Sequence, residues 1–489
     1  MSAAPPARRL GRGVILAYGA GAIAYGVKDS GFGSFLLLFY NQVIGLSATT
    51  VGLVIMAALL IDAFVDPAVG FWSDRTRSRW GRRHPWMYAS LLPIIAGWIA
   101  LWNPPGGVGP ATLAWLFVSA VVVRSAVSAY EVPSVALTPE LSADYDERTR
   151  IMAWRYLFGW AGGLAIGLAV YLYFLPPVPG YANGLLRRAG YGPFAITGAV
   201  AMGAAILVSA LGTHREIPRL PNPPLARQTL RASFAELVET ARNRAFAILM
   251  LAGLAAYTLQ GISYAIATYL YIYVWAFQGM KLVVISCVSF IGVGIAFVLA
   301  PVLGRRGDKG RAALIAVIVG ALAATTPYWL RLAGHYPAPG SAALLPTFCV
   351  TLVIHIAGSV TSFILGASMM ADVVEDSQAR TGRRSEGVFF AGSFFVQKCT
   401  SGIGIFLASA LLALAGFPAK AVPGQVPVAI VDRLTVIYAV TYLTLAAVAA
   451  FFFARFPFGR AEHEARIGRP GKGADGRFPP VFEPLEPAS

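Results

Sequence analysis

Charged residues are scarce in this chain. Of its 489 residues, 13% are charged and 57% are hydrophobic, and the mean hydropathy is +0.65. A soluble protein of this length needs far more charge to cover its surface, so the composition excludes a set of soluble domains. Apolar runs of about 20 residues recur along the chain instead. Because these runs are continuously apolar rather than alternating, they predict an all-α polytopic membrane protein and not a barrel.

Cysteines and catalytic motifs are also scarce. Cys287, Cys349 and Cys399 are widely spaced within apolar runs, so neither a disulfide framework nor a zinc site is predicted. The sequence has no His/Cys cluster with metal-ligand spacing and no G-x4-G-K-[ST] motif. We therefore expect no enzyme, no cofactor and no ATP-driven pump. The energy for any transport must come from an ion gradient or from the solute gradient.

Twelve apolar runs are long enough to cross a bilayer. The first follows positive charges, as a signal peptide would, but it continues well past a signal core of about 7–15 residues and shows no cleavage site. We therefore expect it to remain as a membrane span. The approximate limits of the runs are 14–44, 48–72, 87–103, 111–138, 152–175, 192–213, 244–278, 281–304, 312–333, 344–374, 386–416 and 432–456.

The longest stretch without a span follows the sixth run. It is polar and proline-bearing, and it divides the chain into two halves of six helices each. The predicted units are an N-terminal bundle at 1–213, a central cytoplasmic loop at 214–243, a C-terminal bundle at 244–456 and a disordered cytoplasmic tail at 457–489.

Basic residues gather in loops on one side of the predicted membrane. The formal net charge is +16, and much of the excess is arginine in loops 2–3, 8–9 and 10–11 and in the central loop. Arg187 and Arg188 in loop 5–6 are an exception. This positive-inside pattern predicts a multi-pass protein of the plasma (inner) membrane with both termini in the cytoplasm. The partner it indicates is the lipid bilayer and not nucleic acid, and no obligate protein partner is implied.

Two loops in equivalent places of the halves have related sequences. Gly70-x3-Asp74-Arg75 is followed by G-R-R at 81–83, and residues 303–311 read LGRRGDKGR. Small residues let helices approach at the membrane face, while Asp and Arg can lock their ends electrostatically. Equivalent loops in two six-helix halves are typical of the major facilitator architecture. The residues expected to act in gating are Gly70, Asp74, Arg75, Arg82, Arg83 and Asp372.

Two acids interrupt the second apolar run. Asp62 and Asp66 are four residues apart and therefore lie on one face of a helix. An unpaired carboxylate in hydrocarbon is destabilising, so both must be neutralised by a proton, a bound cation or a basic partner. Reversible neutralisation is what a coupling site for a cation needs. A fixed salt bridge between helices is the alternative interpretation.

The stretch around these acids carries a family resemblance. Residues 62–86, DAFVDPAVGFWSDRTRSRWGRRHPW, closely resemble the second helix and following loop of the glycoside-pentoside-hexuronide:cation symporters. Tyr18-Gly19, Glu131-x-Pro133 and Lys398 agree with that family in order along the chain. The resemblance implies twelve helices in two bundles and cation-coupled symport. It places the cation site on Asp62, Asp66 and Ser128, and a basic partner for the empty site at Lys398.

One position bears on which cation is used. Where sodium-using members of the family have an amide between the two aspartates, this chain has Val65. Sodium prefers several oxygen ligands, whereas a proton needs only a carboxylate whose pKa is raised by burial. We therefore predict proton coupling, and sodium at Asp62 and Asp66 stays the alternative.

Further charged or polar residues inside the runs are candidates for binding the solute. Glu131 and Arg155 match the family's sugar-binding carboxylate and arginine, and such groups hydrogen-bond several hydroxyls at once. Arg124 stands two turns before Glu131, so a salt bridge between them is an alternative. His355 has an alternative role as a hydrogen bond across helices. The full set of candidates is Lys28, Asp29, Arg124, Glu131, Arg155 and His355.

The sequence also departs from the family in this region. Lys28-Asp29 lies about one turn after the family's Lys-Asp pair, and Val127 and Val135 replace aromatic residues of its sugar site. These changes argue against a galactoside of the best-known kind. The predicted function is nonetheless a cation-coupled symporter of a sugar, glycoside or uronide that works by alternating access. Transport of a lysolipid or other amphiphile is the alternative, and a non-transporting sensor is less favoured because long cytoplasmic segments are lacking.

Overall fold

The computed structural model describes the chain in five ranges, which are 10–142, 144–220, 243–306, 308–381 and 386–457. Within these ranges the chain is helical, and no strand occurs in them. Residues 221–242 of the predicted central loop and 458–489 of the predicted tail lie outside the described residues, and the limits of the four units stay a prediction.

The described part of the chain forms twelve long helices. The first is α1 at 12–44. The others are α2 Ala48–Arg75, α3 His84–Trp102, α4 Pro110–Leu141, α5 Tyr145–Ala169, α6 Tyr191–His214, α7 Arg244–Val274, α8 Met280–Arg306, α9 Lys309–Leu332, α10 Leu344–Thr381, α11 Glu386–Leu414 and α12 Val428–Ala454.

The first helix is the least regular of these. A turn at Gly21 divides it, and π-helical stretches occupy Gly31–Phe35 and Phe39–Ile44. Among the described residues, eleven helices are long and apolar enough to span a membrane, and the interrupted α1 is not one of them. Gly21 lies so close to Tyr130 and Ser209 that a side chain there would collide with both. The turn therefore coincides with a close approach to α4 and α6.

Several helices extend beyond the predicted apolar runs at one end of the molecule. For example, α2 ends at Arg75 instead of residue 72, α5 begins at Tyr145 instead of 152, and α10 reaches Thr381 instead of 374. A search for apolar residues stops at the first charges, whereas backbone hydrogen bonding continues into the aqueous phase. We call this end, which holds residues 75–84, the arginine-rich end. The other, which holds residues 44–48, is the opposite end.

The helices assemble as the predicted two bundles. In the N-terminal half, α1 packs against α5 and α6, α2 against α4, and α3 against α6. In the C-terminal half, α7 packs against α11 and α12, while α10 packs against α8 and α9. Between the halves, α2 packs against α11, α1 meets α7, and α5 meets α8.

Close helix contacts recur at equivalent places in the two halves. A side chain at Gly26 of α1 would collide with the backbone of Gly159 and Gly163 in α5. A side chain at Gly261 of α7 would lie 3.0 Å from the Cα of Gly404 in α11. Small residues allow such approaches between membrane helices. Because α7 and α11 each follow α1 and α5 by six helices, these contacts support an internal structural repeat.

Candidate functional site

Asp62 lies at the centre of a buried polar cluster between α2 and α4. Asp62 is only 2% exposed. The Oδ2 atom accepts a hydrogen bond from Arg124 Nη2 at 2.7 Å, and Oδ1 accepts one from Ser128 Oγ at 2.7 Å. Arg124 and Ser128 are four residues apart on α4 and therefore present one face to α2. Both oxygens of this carboxylate thus have partners within the N-terminal half.

Lys398 links the same cluster to the C-terminal half. Its Nζ lies 3.0 Å from Asp62 Oδ2 and 2.5 Å from Asp66 Oδ2. Its side chain is 27% exposed, as is that of Asp66. Asp66 Oδ1 is buried and has no hydrogen-bond partner among the described residues. Asp66 is therefore the less saturated carboxylate of the two.

Glu131 and Arg155 form a second pair, between α4 and α5. Arg155 Nη2 donates to Glu131 Oε1 at 2.7 Å, and Nη1 donates to Ser134 Oγ at 2.7 Å. The arginine side chain is 3% exposed, while the glutamate side chain is 25% exposed. The second oxygen of Glu131 has no described hydrogen-bond partner. That oxygen is itself buried, so Arg155 fixes Glu131 and leaves one acceptor atom without a described donor.

Lys28 and Asp29 extend the polar surface along α1. Lys28 Nζ lies 3.6 Å from Asp29 Oδ1, and the lysine side chain is 6% exposed against 49% for the aspartate. The ammonium also lies 4.2 Å from the centre of the Tyr25 ring. Tyr25 and Tyr264 of α7 are both partly exposed. Asp29 is therefore accessible, whereas Lys28 is held inside the helix packing.

Arg124 and His355, two of the expected solute-binding residues, have other contacts. The guanidinium of Arg124 binds Asp62, and Glu131 binds Arg155, so the alternative salt bridge between Arg124 and Glu131 is wrong. His355 lies within the C-terminal half, where its Nδ1 is 3.2 Å from the carbonyl oxygen of Gly320 and its ring contacts Tyr442. This geometry matches the alternative of a hydrogen bond across helices.

The residues expected to act in gating lie at the arginine-rich end. Arg82 and Arg83 both bind Glu140 Oε1, at 2.8 and 3.0 Å, and both also approach Asp74 Oδ1. Arg75 stacks on the ring of Phe71. These pairs join α2, α4 and the turn before α3, all in the N-terminal half. Glu140 was missed by the sequence reasoning, although its charge at the end of an apolar run could have indicated it.

Two further gating candidates have different surroundings. Asp372 binds Lys309 Nζ with both carboxylate oxygens, at 2.7 Å each, within the C-terminal half. Arg383 and Arg384 of the loop that follows α10 lie outside the described residues. A side chain at Gly70 would meet Val132 at 3.6 Å, an ordinary contact, so close helix packing does not require glycine there.

Uncharged polar residues join the two halves at the opposite end. Tyr269 donates a hydrogen bond to Asn41 Oδ1 at 2.9 Å, and Tyr273 donates to Gln42 Oε1 at 3.1 Å. The same Gln42 oxygen accepts from the backbone N–H of Ala421 at 2.8 Å. Sequence reasoning missed this set, which we call the polar seal. The adjacent amides Asn41-Gln42 at the end of an apolar run were the available signal.

The comparisons with known proteins agree with this architecture. Residues 17–460 match the family described as MFS/sugar transport protein, and the chain belongs to that family. An uncharacterized symporter of Synechocystis is 27% identical, with 84% of this chain and 87% of the relative covered. An isoprimeverose transporter of Lactiplantibacillus pentosus is 24% identical, with 79% and 77% covered.

A solved structure shows the same fold. The crystal structure of a D-xylose-proton symporter superposes with a TM-score of 0.62 at 13% identity and covers 91% of this chain and 97% of its own. The predicted major facilitator fold is thereby confirmed, as is the resemblance to cation symporters of glycosides. The protein is a multi-pass membrane transporter and not an enzyme.

Proposed function

We propose that this protein is a proton-coupled secondary active symporter of a sugar, glycoside or uronide. The observation that carries the proposal is the position of Lys398, which reaches from the C-terminal half to Asp62 and Asp66 of the N-terminal half. Neutralising either carboxylate changes the attraction between the halves. Cation binding is thereby coupled to their relative movement, as alternating access requires.

Asp66 is the acid we assign to the coupling proton. Asp62 keeps Arg124 and Ser128 as partners whatever Lys398 does, whereas the described ion-pair partner of Asp66 is Lys398. Protonation of Asp66 therefore releases Lys398 from one of its two contacts. An unoccupied, unprotonated site would hold Lys398 in place, which opposes movement of the halves without cargo.

The solute site is assigned to Glu131, Arg155 and Asp29. Glu131 has a buried oxygen without a described donor, and Asp29 is half exposed. Carboxylates accept hydrogen bonds from sugar hydroxyls, and Arg155 fixes the orientation of one of them. By thermodynamic linkage, a bound proton must raise the affinity for the solute, and a bound solute must raise the affinity for the proton by the same factor.

The orientation follows from the charge distribution. We assign the arginine-rich end to the cytoplasm, with both termini on that side of the plasma (inner) membrane. The polar seal then lies at the outer face. In this structure its hydrogen bonds join the halves there, so the seal must part when the protein takes up solute from outside.

Solute uptake into proteoliposomes tests this function. An imposed inward proton gradient should drive accumulation above the equilibrium level, and a protonophore should abolish it. Asp66→Asn should retain exchange of solute across the membrane but lose accumulation. Gradient-driven accumulation that is unchanged in Asp66→Asn would contradict the assignment.

Thermal unfolding across a panel of solutes tests the solute class. Neutral sugars, uronides and lysolipids are added separately, and a bound solute raises the melting temperature. Sugars or uronides are expected to stabilise the protein. The amphiphile alternative gains support if a lysolipid stabilises it instead. Of the two valines that replace aromatic residues of the family's sugar site, Val127 is buried and Val135 is exposed.

A further inference from the structure

We propose that Arg124 is the residue that excludes sodium, because its guanidinium occupies the position at Asp62 that a coupling metal ion would take. This inference deepens the proposed function and rests on the assignment of the cation site to the Asp62 cluster. The contacts around that carboxylate carry it: Arg124 Nη2 lies 2.7 Å from Oδ2, and Ser128 Oγ lies 2.7 Å from Oδ1.

A sodium ion needs several oxygen ligands that are free to turn toward it. At Asp62 the available oxygens are committed, since Oδ1 accepts from Ser128 and Oδ2 faces both Arg124 and Lys398. Val65, next to Asp66, contributes no side-chain oxygen. The donor set that would bind sodium is thus present only in part, and a fixed positive charge lies within it.

The two cations at Asp62 differ in how they are held. Lys398 belongs to the C-terminal half and is 27% exposed, so it can withdraw when the halves move. Arg124 belongs to α4, which packs against α2 in the same half, and its side chain is 6% exposed. Arginine also keeps its charge throughout the accessible pH range. Arg124 therefore stays beside Asp62 through the cycle.

This permanent pair changes how many ions one cycle can use. Asp62 is neutralised by a residue of the protein, so it consumes no ion from solution. Asp66 is left as the acid of the cluster that an external cation can neutralise. The expected coupling is one proton for each solute, with no response to sodium or lithium.

Thermal unfolding in sodium chloride against choline chloride, at constant ionic strength, tests the inference on the purified full-length protein. The wild type should show no difference between the salts. Arg124→Gln keeps a hydrogen-bond donor near Asp62 and removes the charge, and Arg124→Ser adds a further oxygen. In both variants, sodium should raise the melting temperature by about 2–5 °C, as a ligand at a hundredfold excess over its dissociation constant would.

Two controls separate sodium binding from a merely structural role. Arg124→Lys keeps the charge and should stay insensitive to sodium. Combining Arg124→Gln with Asp62→Asn should remove the sodium response that the single variant gained. Stabilisation of the wild type by sodium would overturn the inference, as would folded Arg124→Gln and Arg124→Ser variants that show no response to sodium.

The failure of this inference is distinguishable from failure of the proposed function. If neither a proton gradient nor a sodium gradient drives accumulation by the wild type, the symport function is wrong. The salt comparison then still reports on Arg124. If the wild type accumulates solute on a sodium gradient alone, symport stands and the role of Arg124 is refuted.

Discussion

The two halves of the molecule share one architecture but contribute unequally to the polar cluster. The N-terminal half supplies four acids and three bases, many of which pair with one another across its own helices. Among the described residues, the C-terminal half adds Lys398 alone to those ion pairs. The N-terminal residues concerned are Lys28, Asp29, Asp62, Asp66, Arg124, Glu131 and Arg155.

This difference separates fixed structure from moving structure. Pairs such as Arg155 with Glu131 join helices that belong to one bundle, so they can persist while the bundles rock. Lys398 crosses the boundary between bundles, so its contacts must change when the boundary opens. The polar seal crosses the same boundary with uncharged groups. Four changes, taken from the largest expected effect to the smallest, test this contrast.

Removing the charge that crosses the boundary should have the largest effect. Lys398→Met leaves Asp66 without its described ion-pair partner and removes the ion pairs that join Asp62 and Asp66 to the C-terminal half. Without the lysine, neutralising Asp66 no longer changes the attraction between the halves, so a proton gradient no longer drives accumulation. We expect accumulation in proteoliposomes to be lost while solute exchange at equal concentrations continues.

A neighbour on the same helix serves as the control for that variant. Gln397→Ala changes a residue adjacent to Lys398 without removing a charge and should accumulate solute normally. If Lys398→Met accumulates solute as well as Gln397→Ala does, the lysine is not the link between the halves.

Removing a pair that lies within one half should affect solute affinity and not coupling. Arg155→Gln frees Glu131 from its charged hydrogen bond, and such a bond contributes about 1.5–3 kcal/mol. The solute concentration for half-maximal uptake should therefore rise by about 10- to 100-fold, while the accumulation ratio at saturation is kept. Glu216→Gln, which breaks a pair with Arg219 far from the cluster, is the matched control. A lost accumulation ratio at unchanged affinity would reverse the assignment of fixed and moving pairs.

Weakening the polar seal should shift the balance between conformations. Tyr269→Phe together with Tyr273→Phe removes two hydroxyl donors, each contributing about 0.5–1.5 kcal/mol. The population in which the opposite end has separated should rise several-fold. Ser34 of α1 lies at the boundary between the halves, where its carbonyl oxygen accepts a hydrogen bond from Thr268 Oγ1 of α7 at 3.0 Å. The measurement is the rate at which an impermeant maleimide labels Ser34→Cys from that side, in a background without the three native cysteines.

A third tyrosine in the same stretch is the control for the seal. Tyr271→Phe should leave the labelling rate unchanged, because the Tyr271 ring packs against Phe348 within the C-terminal half. Equal rates in the double variant and in Tyr271→Phe would show that the seal does not hold the halves together.

The smallest functional effect is expected where the halves are alike. Gly26→Ala and Gly404→Ala each place a methyl group against the backbone of a neighbouring helix, and such overpacking costs about 1–3 kcal/mol. Both should lower the melting temperature by similar amounts and leave the coupling ratio unchanged. Gly13→Ala has nothing within 4 Å of its added carbon and should not lower the melting temperature. A large effect in one half only would argue against equivalent helix packing.

Much of this organisation could be predicted from the sequence, because membrane spans leave a strong signal. The apolar runs gave twelve helices, and the motif around Asp62 indicated the family. Which helix face meets which could not be predicted in the same way. Arg124 has Ser128 one turn away and Glu131 two turns away on its own helix, yet its strongest contact is Asp62 on α2. Only the rotation and tilt of α4 against α2 decide between these partners.

The polar seal escaped prediction for a different reason. Tyrosine and amide side chains at the ends of spans are common in interfacial belts, so their type alone does not mark a contact between bundles. Whether they join the bundles depends on the distances between α1, α7 and the loop near Ala421, which are far apart in sequence. A local pattern carries no information about such long-range pairing.

The balance of charge in the cluster has an electrical consequence. With every group ionised, four positive and four negative side chains cancel, namely Lys28, Arg124, Arg155 and Lys398 against Asp29, Asp62, Asp66 and Glu131. Moving one elementary charge through 100 mV is worth about 2.3 kcal/mol. In the proposed cycle, the empty carrier would therefore return without sensing the membrane potential. Symport of a proton with a neutral sugar would carry net charge and generate a current. Symport of a proton with a singly charged uronide would carry no net charge. Current measured across a voltage-clamped bilayer would therefore report the charge of the solute.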